Sequence, residues 1–279
     1  MRSSTFTLDL TTQGPLYPPS EVMDEDGNFI LIGAVNREGP DGVETGWGGA
    51  IVAADSPVPP FGERAPYRIL ETFDPATPPP HVARKVLHTL PIPLPCNNYH
   101  MLFAPEQAPG AREDVRPSYG FHETPIPDLA RPEDRQLRRP VTLGDWIGAR
   151  GSLTVDIPDH CRSGRFRFAM EGLLPRSLYT IMSLRSGDLD PGGPTRPEPL
   201  GVPNVFVTDA EGRGAYDVEI ADPFPAPGSG GNRIVNVVVL FMSYQLSHGG
   251  AIGRYGLGGD IHAQLKFARP VFGDLVTRR

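Results

Sequence analysis

Proline and glycine interrupt this chain so often that long helices are not expected over most of it. Of its 279 residues, 33 are proline and 32 are glycine, about twice the usual share of proline. A proline inside a helix removes a backbone donor and clashes with the preceding turn. Short strands joined by turns tolerate such punctuation. Hydrophobic residues at 39% can build a sizeable core, and charged residues at 21% are too few for a disordered chain. The expectation is an all-β, mainly antiparallel fold with one or two short helices.

The later half carries the clearer pattern. Leu153, Val155 and Ile157 alternate with Ser152, Thr154 and Asp156, and Phe166, Phe168 and Met170 alternate with Arg165 and Arg167. Tyr216, Val218 and Ile220 repeat this against Asp217 and Glu219. A period of two puts one set on each face of a strand. Residues 204–208, the turn from Asp209 to Gly214 and the strand after it read as a hairpin, since glycine permits the tight reversal. Residues 233–244 are apolar apart from Asn236 and a few ends, which predicts a central strand covered on both faces. Ile261, Ala263, Leu265 and Phe267 then predict a last strand with Asp260, His262, Gln264 and Lys266 on the opposite side, His262 being read as a solvated polar-face residue. With residues 177–184 the count of short strands reaches seven, which points to a Greek-key sandwich or barrel.

Within this half, Gly172, Leu173, Pro175 and Tyr179 fall in the order G-L-x-P-x-x-x-Y. The stretch 172–180 resembles the tyrosine corner of fibronectin type III-like sandwiches. The resemblance implies that the Tyr179 hydroxyl bonds back to the arch backbone and locks a crossing between sheets. It extends to no other part of the chain, identifies no family, and implies no activity.

Three segments are expected. Residues 1–104 form a smaller β-rich part, with candidate strands at 29–35, 48–53, 67–73 and 99–103 and a turn at 38–42. Pro78, Pro79 and Pro80 precede 81–88, which reads as a short helix with a strand as the alternative. Residues 105–141 form a proline-rich connection that runs extended. Residues 142–279 form the sandwich, entered through a short helix in which Thr142 caps and Asp145 completes a capping box. The two halves are expected to pack together and shelter a cleft.

Charge narrows the partners. The chain has 26 basic and 33 acidic residues, a formal net charge of −7, and no basic stripe, so nucleic acid is not expected. The longest apolar stretch, 237–242, is far short of the roughly 18 residues of a membrane helix, and no membrane partner is expected. No leader follows Met1, which reads as a cytoplasmic chain or one already processed. Cys96 and Cys161 form no CxxC unit, so disulfide dependence is not expected. Partners consistent with the sequence are a small-molecule ligand and a second copy of the chain.

The familiar catalytic signatures are missing. Neither lysine sits in a Walker loop, no GxGxxG opens a helix, and Gly228-Ser229-Gly230 lacks the setting of a nucleophile elbow. No cofactor is expected. The most suggestive run is Tyr119-Gly120-Phe121-His122-Glu123, a phenol, an imidazole and a carboxylate within five residues. It nominates His122 and Glu123 as an acid–base pair with Tyr119 orienting substrate, and His81, His100, Phe121 and Trp47 as substrate-binding residues. On this reading the chain is a small-molecule enzyme of non-redox, cofactor-free acid–base chemistry: cyclisation, isomerisation, elimination or hydrolysis. The alternatives are a non-catalytic ligand- or protein-binding sandwich and a metalloprotein ligated by His248 and His262. Turn carboxylates at Asp188, Asp190, Asp209 and Glu211 could serve calcium, although turn formation alone accounts for them.

Overall fold

The computed structural model describes residues 1–14, 19–60, 63–95, 110, 113–127, 129–131, 134–159, 162–188, 198–226, 228–247 and 260–277. The fold is all-β, with antiparallel sheets and, among the described residues, two short α-helices and one 3-10 turn at Ser186–Asp188. One sheet has the order β1 (Arg2–Thr7), β6 (Arg150–Ile157), β7 (Ser163–Glu171), β11 (Gly214–Ala221). A second runs β10 (Val205–Val207), β8 (Leu178–Arg185), β12 (Ile234–Met242), β13 (Ile261–Lys266), β2 (Asp9–Leu10), with β9 (Glu198–Pro199) also on β8. These two sheets face each other. Leu153, Val155, Phe166 and Phe168 from the first share one core with Tyr179, Ile181, Val239 and Phe241 from the second. The first ten residues of the chain are thus part of the sandwich sheets, β1 pairing with β6 and β2 with β13.

The third sheet consists of β3 (Phe29–Gly39), β4 (Gly42–Val52) and β5 (Ile69–Phe73). Its Ile30, Ile32, Ile51 and Phe73 join the sandwich core, and Phe29, Leu31, Ala50 and Val52 build a core of their own. The expected reversal between the first two strands is present, with Gly39 paired to Gly42. The expected strand at 99–103 lies outside the described residues, as do Cys96 and Cys161.

The helix entered at Thr142 forms as a single turn, and of the stretch 81–88 only the start is helical, Val86 and His88 bridging instead to Thr142, Met23 and Gly120. Pro80 opens α1 (Pro80–Ala83), where its missing N–H costs nothing. In α2 (Leu143–Trp146) the Thr142 hydroxyl accepts from Asp145 N–H while the Asp145 carboxylate accepts from Thr142 N–H, a complete capping box. The helix delivers Trp146 into the core, where its indole N–H donates to Thr11 O at 3.0 Å.

The tyrosine corner is formed. The Leu174 N–H donates to the Tyr179 hydroxyl at 2.9 Å, and that hydroxyl donates to Gln264 Oε1 at 2.7 Å. Two other expectations need correction. The 209–214 turn exists, with Asp209 N–H donating to Arg213 O and Asp209 Oδ1 accepting from two backbone N–H groups, but it makes no hairpin. β10 pairs with β8 and β11 with β7, so the turn is an arch between sheets. Gly212, at φ +74°, explains why the arch docks where it does, because a Cβ there would lie 2.2 Å from Leu173 O.

The second correction concerns β13. Val239 pairs with Leu265 while Leu240 pairs with Ala263, a bulge that leaves Gln264 as the extra residue. The alternation therefore reverses side there. His262 pairs with Phe241 and shares the sandwich face with it, whereas Ile261 and Ala263 pack behind the sheet with Met182, Val238 and Leu240. Neither face meets solvent. Asp260, His262, Gln264 and Lys266 are all buried, and His262 is only 1% exposed rather than solvated.

Candidate functional site

The buried polar residues of β13 and the residue before it find partners one by one. Asp260 sits against Arg116, whose Nη1 lies 2.7 Å from Asp260 Oδ2 and also donates to the Tyr244 hydroxyl, while Nη2 donates to Leu90 O. Gln264 Nε2 donates to Trp146 O, completing the chain that begins at the tyrosine corner. Lys266 Nζ donates to Gln13 O and Gly14 O at 2.8 and 3.1 Å and stands 5.5 Å above the Trp47 ring. The Glu21 carboxylate accepts from Ala263 N–H at 2.8 Å. Burial pushes that carboxyl up to about 7 and the Lys266 amine down to about 8.

His262 is the centre of this group. Its Nδ1 lies 2.9 Å from Glu21 O, and a carbonyl can only accept, so Nδ1 carries the proton. Nε2 is then the acceptor for the Ser243 hydroxyl at 3.0 Å. Burial drives the imidazole down to about 3, so it is neutral. Its ring lies 4.2 Å from that of Phe121, within an aromatic group that includes Phe241 and Trp146.

Ser243 and Phe121 also line a cleft of about 210 Å³ at this end of the sandwich. On one side stand Ser177 and Gln245 from the sheet ends. On the other, Thr124, Ile126, Leu129 and Leu137 come from the proline-rich connection, with Asp134, Arg135 and Gln136 beside them. Arg135 holds this segment down, its Nη1 donating to His122 O and its Nη2 to Thr124 O at 2.9 Å. The Gln245 amide is committed, donating to Met242 O and accepting from Leu178 N–H.

Compared with family models, with curated proteins and with solved structures, the chain matches none. The geometry stands alone.

The residues singled out from the sequence are dispersed around this cleft. Phe121 lines it. His122, largely enclosed, has Nε2 3.6 Å from the exposed Glu123 carboxylate and an enclosed Nδ1 without a hydrogen-bond partner. Burial lowers its pKa, with Glu123 pulling the other way. Both lie between the cleft residues Phe121 and Thr124 without lining the cleft themselves. Tyr119 is tied to Thr89 through its backbone, and its ring lies 5.9 Å from the Arg116 guanidinium. His81 is exposed and bonds to Glu71 at 2.9 Å. Trp47, 41% exposed, covers Lys266. His100 and His248 lie outside the described residues, as does Asp190. Both ring nitrogens of His262 are taken, and no cluster of three metal-ligating side chains occurs among the described residues. Asp188 Oδ2 accepts from Arg185 N–H and Asp209 from its own turn.

Ser243, Glu21, Arg116, Asp260 and Arg135 were not marked by any motif. One signal was present. A central strand covered on both faces implies a layer on each side of its neighbours too, which places the polar residues of the next strand under cover and in need of partners.

Proposed function

We propose that this chain binds a small, largely apolar molecule in the cleft between the proline-rich connection and the end of the sandwich. The observation that supports this is the lining itself: Phe121, Ile126, Leu129 and Leu137 around a space of about 210 Å³, with the Ser243 hydroxyl among them. Clefts that hold small molecules are commonly apolar with a few placed polar groups, and this one suits a ligand below drug size. A ligand-observed NMR screen of fragments tests it. Fragments are expected to bind the wild-type protein and to lose binding in Leu129→Trp, which fills the space, while the thermal midpoint stays close to wild type. Fragments that bind both proteins equally would overturn the assignment.

A second reading has the bound molecule undergo acid–base chemistry without cofactor or redox change, and His122 supports it, with an enclosed, unpartnered Nδ1 and its Nε2 3.6 Å from the Glu123 carboxylate. His262 itself, held neutral and weakly basic by burial, is a poor general base. The proton-exchanging pair in this reading is therefore His122 with Glu123, beside the cleft residues Phe121 and Thr124. Recovery of every bound fragment unchanged after prolonged incubation argues for binding alone. Turnover that His122→Asn abolishes argues for the enzyme.

A further inference from the structure

We infer that the ligand of this cleft is a monocarboxylate with a short apolar tail, an inference that rests on the cleft being a binding site and adds the chemistry of its head group. Arg135 lines the cleft, and among the described residues no carboxylate forms an ion pair with it. Its two Nη groups are spent on the carbonyls of His122 and Thr124, whose partial charges do not neutralise a guanidinium. Its Nε is enclosed and has no hydrogen-bond partner, an expensive state for a donor on a charged group. The other acid at the cleft, Asp134, is already paired with Arg131 at 3.2 Å. Residues 131–139 hold four arginines against Glu133 and Asp134 in a chain of net charge −7, and with Asp134 paired to Arg131 the Arg135 guanidinium is the lining cation without a carboxylate among the described residues. Hydrogen bonds from a guanidinium to a carboxylate are stronger than neutral ones and discriminate by charge as well as by shape. The remaining walls, Ile126, Leu129 and Leu137 above Phe121, leave room for a hydrocarbon tail and supply no second cation for a dianion.

Hexanoate and hexanamide differ only in this head group, and calorimetric titration of both into the full chain tests the inference. Hexanoate is expected to bind about tenfold or more tightly than hexanamide at low salt. In Arg135→Gln the preference is expected to vanish while hexanamide affinity persists. Because Arg135 also secures the 122–124 backbone, a measurement that needs no variant is included: the Arg135 side-chain N–H resonances of the wild-type protein shift on addition of hexanoate and stay in place with hexanamide. Equal affinities for the two molecules would overturn the carboxylate assignment and leave the cleft as a binding site. Binding of neither would overturn both.

Discussion

Strands β7 and β13 are written in the same alphabet, apolar residues alternating with polar or charged ones, yet their polar sides meet opposite surroundings. On β7, Phe166, Phe168 and Met170 enter the core while Arg165 and Arg167 lie at the solvent face, pairing with Asp217 and Asp156. On β13 the bulge at Gln264 reverses the alternation, and layers on both sides enclose every side chain. The first strand is the outer wall of a sandwich. The second is an internal wall, with the N-terminal part, Trp146 and Arg116 over it. Alternation therefore reports two-sidedness, and what lies beyond each side is decided by the rest of the chain.

The sharpest way to break the comparison is to remove one partner of a buried polar pair. Asp260→Ala leaves the Arg116 guanidinium enclosed without its carboxylate and should cost about 3–5 kcal/mol in urea unfolding. Replacing both residues, Asp260→Leu with Arg116→Met, should recover most of that loss, because two apolar side chains of similar volume leave no orphaned charge. A double variant as unstable as the single one would mean that the pair itself, rather than the uncompensated charge, carries the stability.

His262 sharpens the same contrast through pH. Its ordinary value of 6.5 is driven down to about 3 in the folded protein. Between those values the unfolded chain binds a proton that the folded chain refuses, so stability rises with pH, by about 1.4 kcal/mol per unit. The contribution is complete above 6.5 and is lost as pH falls. Glu21 opposes it: with its carboxyl raised from 4.5 to about 7, the folded state holds the extra proton and stability falls with rising pH across that window. The two slopes offset each other between 4.5 and 6.5, and the His262 loss shows openly below 4.5. The stability difference between wild type and His262→Gln should therefore slope from pH 6.5 downward, with Glu21 and all other shared groups cancelling. Parallel pH profiles would remove the buried, neutral histidine from the account.

Much of the scaffold was legible because it rests on local chemistry. The Thr142–Asp145 capping box, the reversal between β3 and β4 and the tyrosine corner each need fewer than a dozen neighbouring residues, and each is formed. The arch at 209–214 was misread as a hairpin because turn chemistry fixes the reversal and says nothing about which strands the two arms join. The buried polar layer of β13 and the cleft beside it were less legible still. In that layer the partners are remote, with Glu21 meeting β13 across 241 residues and Arg116 meeting Asp260 across 144. Phe121 stood out as an aromatic in a rigid loop, whereas Ser243 ended an apolar strand and Arg135 was one arginine among several. The bulge at Gln264 left no mark in the pattern because an inserted residue with a polar side chain continues the alternation by one more step.

The smallest expected effect is on the solvated side of the comparison. Asp217 accepts both arms of the Arg165 guanidinium at 2.8 and 2.6 Å, and that pairing holds its carboxyl below the ordinary value. By distance alone this pair is as well made as the Arg116–Asp260 pair. Its partners stand in water, however, where Coulomb attraction is screened and each freed charge is rehydrated at once. Asp217→Ala should leave the urea midpoint within experimental scatter of wild type. If it cost as much as Asp260→Ala, burial could not be what separates the two strands.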